Sequence, residues 1–426
     1  MIKKKYSVIL YWLIIIALLA MFFTNDFGLV DLHKTSVVVA VGVDTEESEV
    51  IVTAQVAVPQ PSQSGDNIQY AEVQGRGLTV ADCLNEINSK TGFYPKLLSC
   101  KLILLGEECQ SKPLFKVLGC FFRRNYSELT ALVAMCKGKA SEMLALPATI
   151  SPENSTAMQR ALSEELKKSA NVSSVNMKEL AKSGFGVSKA CYMPFIEANV
   201  EGTSEGGGNG DNVGGESGSQ GGQGGQGSQQ GGGSGGQESG GQSGQSSQSG
   251  QQGSGGGRQM EFTARKTAVF TDGNFAGLLN EQQSFALNVL KNDIRLAVLP
   301  CDADGVHYTV GLKNVDSGVN LKVNGGVPKL TVSFGALAQI QGAAKILEPD
   351  SVRFDDVVKP EILQAAEGEI RNRMEELLKH CRETGCDLFG AAGMLYKYHT
   401  KYYEAFADDI LTRMEVEYKI NIKSLN

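Results

Sequence analysis

The residues best equipped for chemistry are few and scattered. His33, His307, His380 and His399 are the only histidines and stand isolated, and His380, beside Cys381, reads as a surface side chain of a helix. Nine cysteines include Cys100 with Cys109 and Cys381 with Cys386, spacings that make no CxxC pair. A structural zinc site needs Cys or His ligands at close, recurring intervals, so neither a metal nor any other cofactor is expected. The odd count leaves at least one thiol unpaired, and free cysteines of this kind are expected as small buried hydrophobes. No Ser, Cys or Thr stands in a nucleophile frame. Gly75-Arg-Gly77 is a two-glycine turn and lacks the third glycine of a dinucleotide fingerprint.

One constellation stands out from this background. Arg123 and Arg124 follow Phe121-Phe122 and precede Glu128. Guanidinia beside an apolar strand pair readily with carboxylates, so a buried pair with Glu128 is the leading expectation and an anion or partner contact the alternative. No catalytic residue can be nominated, and the chain reads as a non-enzyme.

The elements that would position these residues begin with the first thirty. Lys3, Lys4 and Lys5 precede Tyr6 to Phe23, eighteen residues whose only polar side chains are Ser7 and the amphipathic Tyr6, Tyr11 and Trp12. That run is long enough to span a bilayer, with the lysines cytoplasmic and the part after Asp26 and Asp31 on the far side. A cleaved signal peptide has the same layout, but Leu18, Leu19 and Ala20 supply no small residue at the minus-three position, so an uncleaved single-pass anchor is expected.

Beyond the anchor, Val37 to Val43 and Val50 to Val58 read as a hairpin around a charged turn. Thr79 with Asp82 starts a helix, and the apolar runs Cys100 to Leu105 and Thr130 to Cys136 read as buried strands. Met158, Leu162 and Leu166 recur every four residues, as in an amphipathic helix. Ala190 to Val200 and Gln259 to Phe270 read as strands, and Asn280 with Gln283 caps a further helix.

Between those two strands lies a tract of Gly, Ser and Gln that holds 26 of the 50 glycines from Gly202 to Gly257, with no aromatic, lysine or arginine before Arg258. Such a composition cannot bury enough surface to offset its ordering entropy, so disorder is expected. As a flexible coil its r.m.s. span would be about 40 Å, compatible with a linker or a loop. Further on, Ile294 to Leu299, Val306 to Lys313, Val319 to Val323 and Lys329 to Phe334 form an antiparallel meander with turns at Asp304-Gly305, Asp316-Ser-Gly318 and Asn324-Gly325. Leu363 to Cys381 steps as one long helix. A second helix from about Tyr402 to Leu411 and a strand from Arg413 to Ile422 complete the chain.

The fold class is thus α+β: one N-terminal transmembrane helix over 1–30, then three mixed α/β domains. These are residues 31–147, residues 148–293 with the insertion 201–257, and residues 294–426, the last an antiparallel sheet packed with the long helix. The formal net charge is −7, with lysines and arginines scattered. Nucleic-acid binding needs a basic stripe, so that class is excluded.

Several segments together resemble the Ger(x)C family, the C subunits of nutrient germinant receptors in endospore-forming bacteria. They are Val37-Val-Val-Ala-Val-Gly-Val-Asp44, Gly77-Leu-Thr-Val-Ala-Asp82, Lys101-Leu-Ile-Leu-Leu-Gly-Glu107 and Arg123-Arg-Asn-Tyr-Ser-Glu128, then Ala268-Val-Phe-Thr-Asp-Gly273, Gly277-Leu-Leu-Asn-Glu281 and Asp387-Leu-Phe-Gly390. The resemblance implies three domains strung from the spore inner membrane and a non-catalytic role beside an A-type and a B-type integral membrane subunit. Asp387, Phe389 and Gly390 join Arg123, Arg124 and Glu128 as candidate structural or interface residues. Family members usually carry a lipobox cysteine after the apolar segment; here that region reads Phe23-Thr-Asn-Asp26 and the first cysteine is Cys83. The glycine-rich tract falls where the family has a short connection between two strands, which makes it a loop insertion. The competing function is a membrane-tethered protein that itself binds a small solute on the outer face, which would need a concave pocket with converging polar groups.

Overall fold

The computed structural model describes residues 11–18, 35–59, 68–123, 128–146, 154–163, 170, 172–200, 260–291, 294, 296–345 and 357–425. The chain divides into two units, one formed by Met1–Asn199 with Met260–Asn426 and the other by Val200–Gln259. The glycine-rich tract lies outside the described residues, and everything below concerns the first unit. Lys3, Lys4 and Lys5 also lie outside them, as does most of the expected anchor, of which residues 11–18 are helical. Among the described residues no helix is long and apolar enough to cross a membrane.

The β-branched runs form the expected hairpin. Strands β1 (Thr35–Glu46) and β2 (Glu49–Pro59) pair antiparallel, closing with Glu46 opposite Glu49. With β3 (Ile68–Gly77), β4 (Tyr94–Lys96), β5 (Leu102–Leu105), β6 (Leu132–Cys136), β7 (Ala190–Val200), β8 (Met260–Thr271) and β9 (Asn274–Leu279) they build a nine-stranded sheet. Its order is β3-β2-β1-β5-β6-β7-β8-β9, and β4 also pairs with β1. Strands β1, β5, β6 and β7 run parallel.

Parallel strands are covered on both faces, which explains the unbroken apolar runs. Ile103, Leu105, Val133 and Met135 enter one core, while Leu102, Leu104, Ala134 and Cys136 enter the core on the opposite face. The helix Val80–Thr91 starts with Thr79 accepting from the Asp82 amide while Asp82 accepts from Thr79, the reciprocal cap expected. Asn280 and Gln283 cap the helix Glu281–Leu290 in the same way.

The C-terminal half corrects the sequence reading in three places. First, Val306 to Lys313 and Val319 to Val323 are one strand, β11 (Val306–Asn324), between β10 (Leu296–Ala303) and β12 (Val327–Lys345). Asp316-Ser-Gly318 does not reverse the chain. An irregularity between Lys313 and Asp316, with Asn314 at φ 50°, lets the strand run on through it, as a bulge does. Second, the four-stranded sheet is not wholly antiparallel: β13 (Glu415–Ser424) runs parallel to β12. A parallel neighbour requires a long crossover, and the helix Pro360–Thr384 lies in that connection, burying Ile362, Ala366, Ile370, Met374, Leu377 and Cys381. Third, the single expected helix near 402–411 is replaced by three short ones, Ala391–Tyr398, Thr400–Phe406 and Ile410–Arg413.

Candidate functional site

Asp387 lies in the bend between the long helix Pro360–Thr384 and the helix Ala391–Tyr398. The long helix stops at Gly385, whose φ of 68° only glycine adopts cheaply, and the next begins after Gly390 at φ 73°. The first amides of a helix lack intrahelical acceptors. Asp387 supplies them: Oδ1 accepts from Ala391 N–H at 2.9 Å and Oδ2 from Ala392 N–H at 2.8 Å. Ser188 completes the cap, donating its hydroxyl to Asp387 Oδ2 at 2.7 Å and accepting from Gly393 N–H at 3.3 Å. A carboxylate at the positive end of a helix is electrostatically favoured.

Leu388 and Phe389 are buried around this knot, and the Leu388 carbonyl accepts from Lys291 Nζ at 3.0 Å. Of the residues carried over from the family pattern, Asp387, Phe389 and Gly390 are therefore brought together, with side chains turned inward or absent.

A cleft of 530 Å³ opens beside the knot, lined by Ser188, Lys189, Arg382, Asp387 and Asp408 among others. Its cations are engaged. Arg382 donates to the carbonyls of Leu411 and Met414 at 2.9 and 3.4 Å, and Lys189 pairs with Asp272 at 3.3 Å. Asp387 accepts from three donors, which commits its carboxylate to the cap.

A second buried acid repeats the device in the N-terminal half. Asp44, 4 % exposed at the end of β1, accepts from the amides of Ala140 at 2.6 Å and Ser141 at 3.0 Å. These open the helix Ala140–Ala145, whose own N-cap residue, Lys139, makes no side-chain cap. Gly106 packs against the carboxylate so closely that a Cβ there would come within 2.1 Å of Oδ1. Sequence reasoning missed this role because the partners are 96 residues apart; the uncapped start at Lys139 was the available signal.

The arginine expectation is corrected at Arg123 alone. Arg123 is exposed, so its guanidinium forms no buried pair with Glu128, and Arg124 lies outside the described residues. Glu128 instead meets Lys101 at 3.3 Å in a largely exposed pair. His380 is also not a plain surface side chain. It is half-buried beside Gly277, its Nε2 buried without a hydrogen-bond partner, and burial holds its pKa below the ordinary value.

All nine cysteines are free and eight are buried. Burial pushes the thiols up, Cys386 to about 11 and Cys191 to about 12, far from the thiolate a nucleophile or metal ligand requires. Among the described residues no three or more His, Cys, Asp or Glu side chains cluster for a metal.

The comparisons with known proteins bear on both halves. A family described as the spore germination protein N-terminal domain matches residues 29–198, and one described as spore germination B3/GerAC like, C-terminal, matches residues 265–425. These matches define a spore germination protein, with the glycine-rich tract in the interval between them. The chain belongs to the Ger(x)C family. The crystal structure of the GerBC protein is similar at 13 % identity, with 91 % of this chain and 97 % of that chain covered and a TM-score of 0.49. No curated protein matches the chain.

Proposed function

We propose that the chain is the non-catalytic C-type subunit of a nutrient germinant receptor, anchored by its N-terminal apolar segment and standing beside an A-type and a B-type integral membrane subunit. The observation that carries this reading is the pair of family matches over 29–198 and 265–425. The saturation of Asp44 and Asp387 by helix amides supports a scaffold role, because the acids best placed for chemistry are committed to holding helices. The subunit would support assembly and signalling in the spore inner membrane, with Lys3, Lys4 and Lys5 on the cytoplasmic side. Co-purification from detergent-solubilised spore membranes tests it: the tagged chain should bring down two multi-span membrane proteins. Recovery of the chain alone, together with calorimetric binding of an amino acid or sugar to it, would replace this reading with that of a membrane-tethered solute-binding protein.

A further inference from the structure

Among the described residues, β3 is an outermost strand of the nine-stranded sheet, and β10 and β13 are the outermost strands of the four-stranded one. The outer side of such a strand presents N–H and C=O groups with which another chain can pair. Two of these edges are closed within the C-terminal half. Strand β10 carries Pro300, which has no N–H to offer, and β13 gives the Ile422 amide to Glu367 Oε1 of the long helix at 2.9 Å.

Strand β3 is closed by a pair of side chains. The Arg76 amide donates to Glu86 Oε2, and the Gln74 carbonyl accepts from Lys90 Nζ at 3.0 Å. In an antiparallel ladder the N–H and C=O of one residue face the same side, and the side alternates along the strand. Gln74 and Arg76 therefore direct theirs away from β2, and so does Glu72. Glu86 and Lys90 also pair with each other at 2.9 Å, one turn apart on the helix Val80–Thr91, with side chains 36 % and 50 % exposed. The glycines of Gly75-Arg-Gly77 let that helix lie so near: a Cβ at Gly75 would meet the Cys83 carbonyl at 2.2 Å, and one at Gly77 the Asp82 side chain at 2.6 Å.

What this pair excludes follows from the strand itself. Glu72, Gln74 and Arg76 share one face of the sheet, the one turned away from Gly75 and the helix, and all three are exposed. If a second β3 is laid antiparallel about Gln74, each Glu72 stands opposite the other copy's Arg76, and the outward N–H and C=O groups meet their complements. Opposite charges directly across a ladder stabilise it. The edge is thus self-complementary, as a twofold interface requires. In the folded chain two groups that this ladder needs, Gln74 C=O and Arg76 N–H, are already taken, and the Arg76 guanidinium is drawn to Glu46 at 3.3 Å.

We infer that the outer edge of β3 is a strand-pairing surface for a second copy of this chain, and that Glu86 with Lys90 keeps it closed. The inference stands apart from the receptor reading above, since it uses only the geometry of this edge.

The test is the mass of the full chain in detergent, by size exclusion with light scattering over a wide range of concentration, beside hydrogen exchange of the segment 72–77. The variant Glu86→Ala with Lys90→Ala places the best helix former at two helix-surface positions and should double the protein mass at concentrations where the parent's mass is unchanged. When dilute, its segment 72–77 should exchange several-fold faster than in the parent, and slow again as the mass rises. Adding Gln74→Pro, which removes one outward N–H as edge strands allow, should return the mass to the parent's. A mass equal to the parent's at every concentration would overturn the inference, as would a doubling that survives Gln74→Pro. A parent whose own mass halves on Gln74→Pro would overturn the closed state. Equal exchange of 72–77 in the dilute parent and in the single variant Glu86→Ala would overturn it as well, whether or not the double variant folds.

Discussion

Ser188 and Asp387, 199 residues apart in the chain, are joined by a 2.7 Å hydrogen bond that fastens the helix Ala391–Tyr398 to the start of β7. Because the carboxylate also serves two helix amides, its loss strands buried donors. Asp387→Ala should lower the unfolding free energy by about 2–4 kcal/mol, combining a lost cap with unsatisfied buried amides. Ser188→Ala alone should cost about 1 kcal/mol. Denaturant melts of the two single variants and the double variant should give a coupling above 0.5 kcal/mol, as for residues in one network. Additive effects would mean that the bond does not link the two halves.

The Asp44 cap makes a sharper steric prediction. A methyl group at Gly106 would meet Asp44 Oδ1 at 2.1 Å and crowd the Ala140 amide at 3.2 Å. Gly106→Ala must therefore displace the carboxylate or the helix start, and about 2–4 kcal/mol is expected from overpacking and the lost cap together. The double variant Gly106→Ala with Asp44→Ala should cost less than the two single costs added, since removing the carboxylate removes the clash. Thermal unfolding of the three variants measures this.

Arg123 should tolerate substitution. Its guanidinium is exposed, and exposed positions rarely exceed about 0.5 kcal/mol, so Arg123→Ala should melt as the parent does. Breaking the Lys101–Glu128 pair with Glu128→Gln should cost under about 1 kcal/mol, as exposed ion pairs do. A large drop in the Arg123→Ala midpoint would restore the buried-pair expectation.

Much of this architecture was legible in the sequence because it rests on local signals. The Thr79–Asp82 and Asn280–Gln283 caps, the apolar runs of β5 and β6 and the stripe from Leu363 to Cys381 each encode their element within a few residues. What escaped depends on distant partners. The direction of β13 is set by β12, and the bulge at Asp316 looks in sequence like the turn it replaces. The candidate site divides in the same way. Asp387 came from a short motif ending at the glycine that breaks the chain, whereas Ser188 and Asp44 show their roles only once segments about a hundred or more residues apart are brought together. Sequence adjacency suggested a pair between the arginines and Glu128, but Lys101, at the foot of the neighbouring strand, takes the carboxylate.

His380 gives the stability a pH signature. Its pKa is lowered from the ordinary 6.5, first by burial, against a weaker opposing pull from Glu383. The unfolded chain therefore takes up its proton at a higher pH than the folded one. Stability from this residue is intact above 6.5 and falls as the pH drops from 6.5 through the lower folded value. Urea melts between pH 7.5 and 5 should show that decline, and His380→Phe should flatten it. An unchanged slope in the variant would assign the decline to other groups.

The last prediction concerns the glycine-rich tract, which we propose is an insertion within one sheet. Strand β7 ends at Val200 and β8 begins at Met260, and the two strands are hydrogen-bonded neighbours. The ends that the tract joins therefore belong to adjacent strands, and a connection of a few residues has only one strand spacing to cross. Loop closure costs grow with the logarithm of length, so cutting 57 residues to a short turn should stabilise the fold by under about 2 kcal/mol. Replacing Glu201 to Gly257 with Asn-Gly should thus leave one cooperative unfolding transition, with a midpoint equal to or slightly above that of the parent. Two separate transitions in the shortened chain, or a marked loss of stability, would mean that the tract spaces two independent bodies and that pairing of β7 with β8 is not what holds them together.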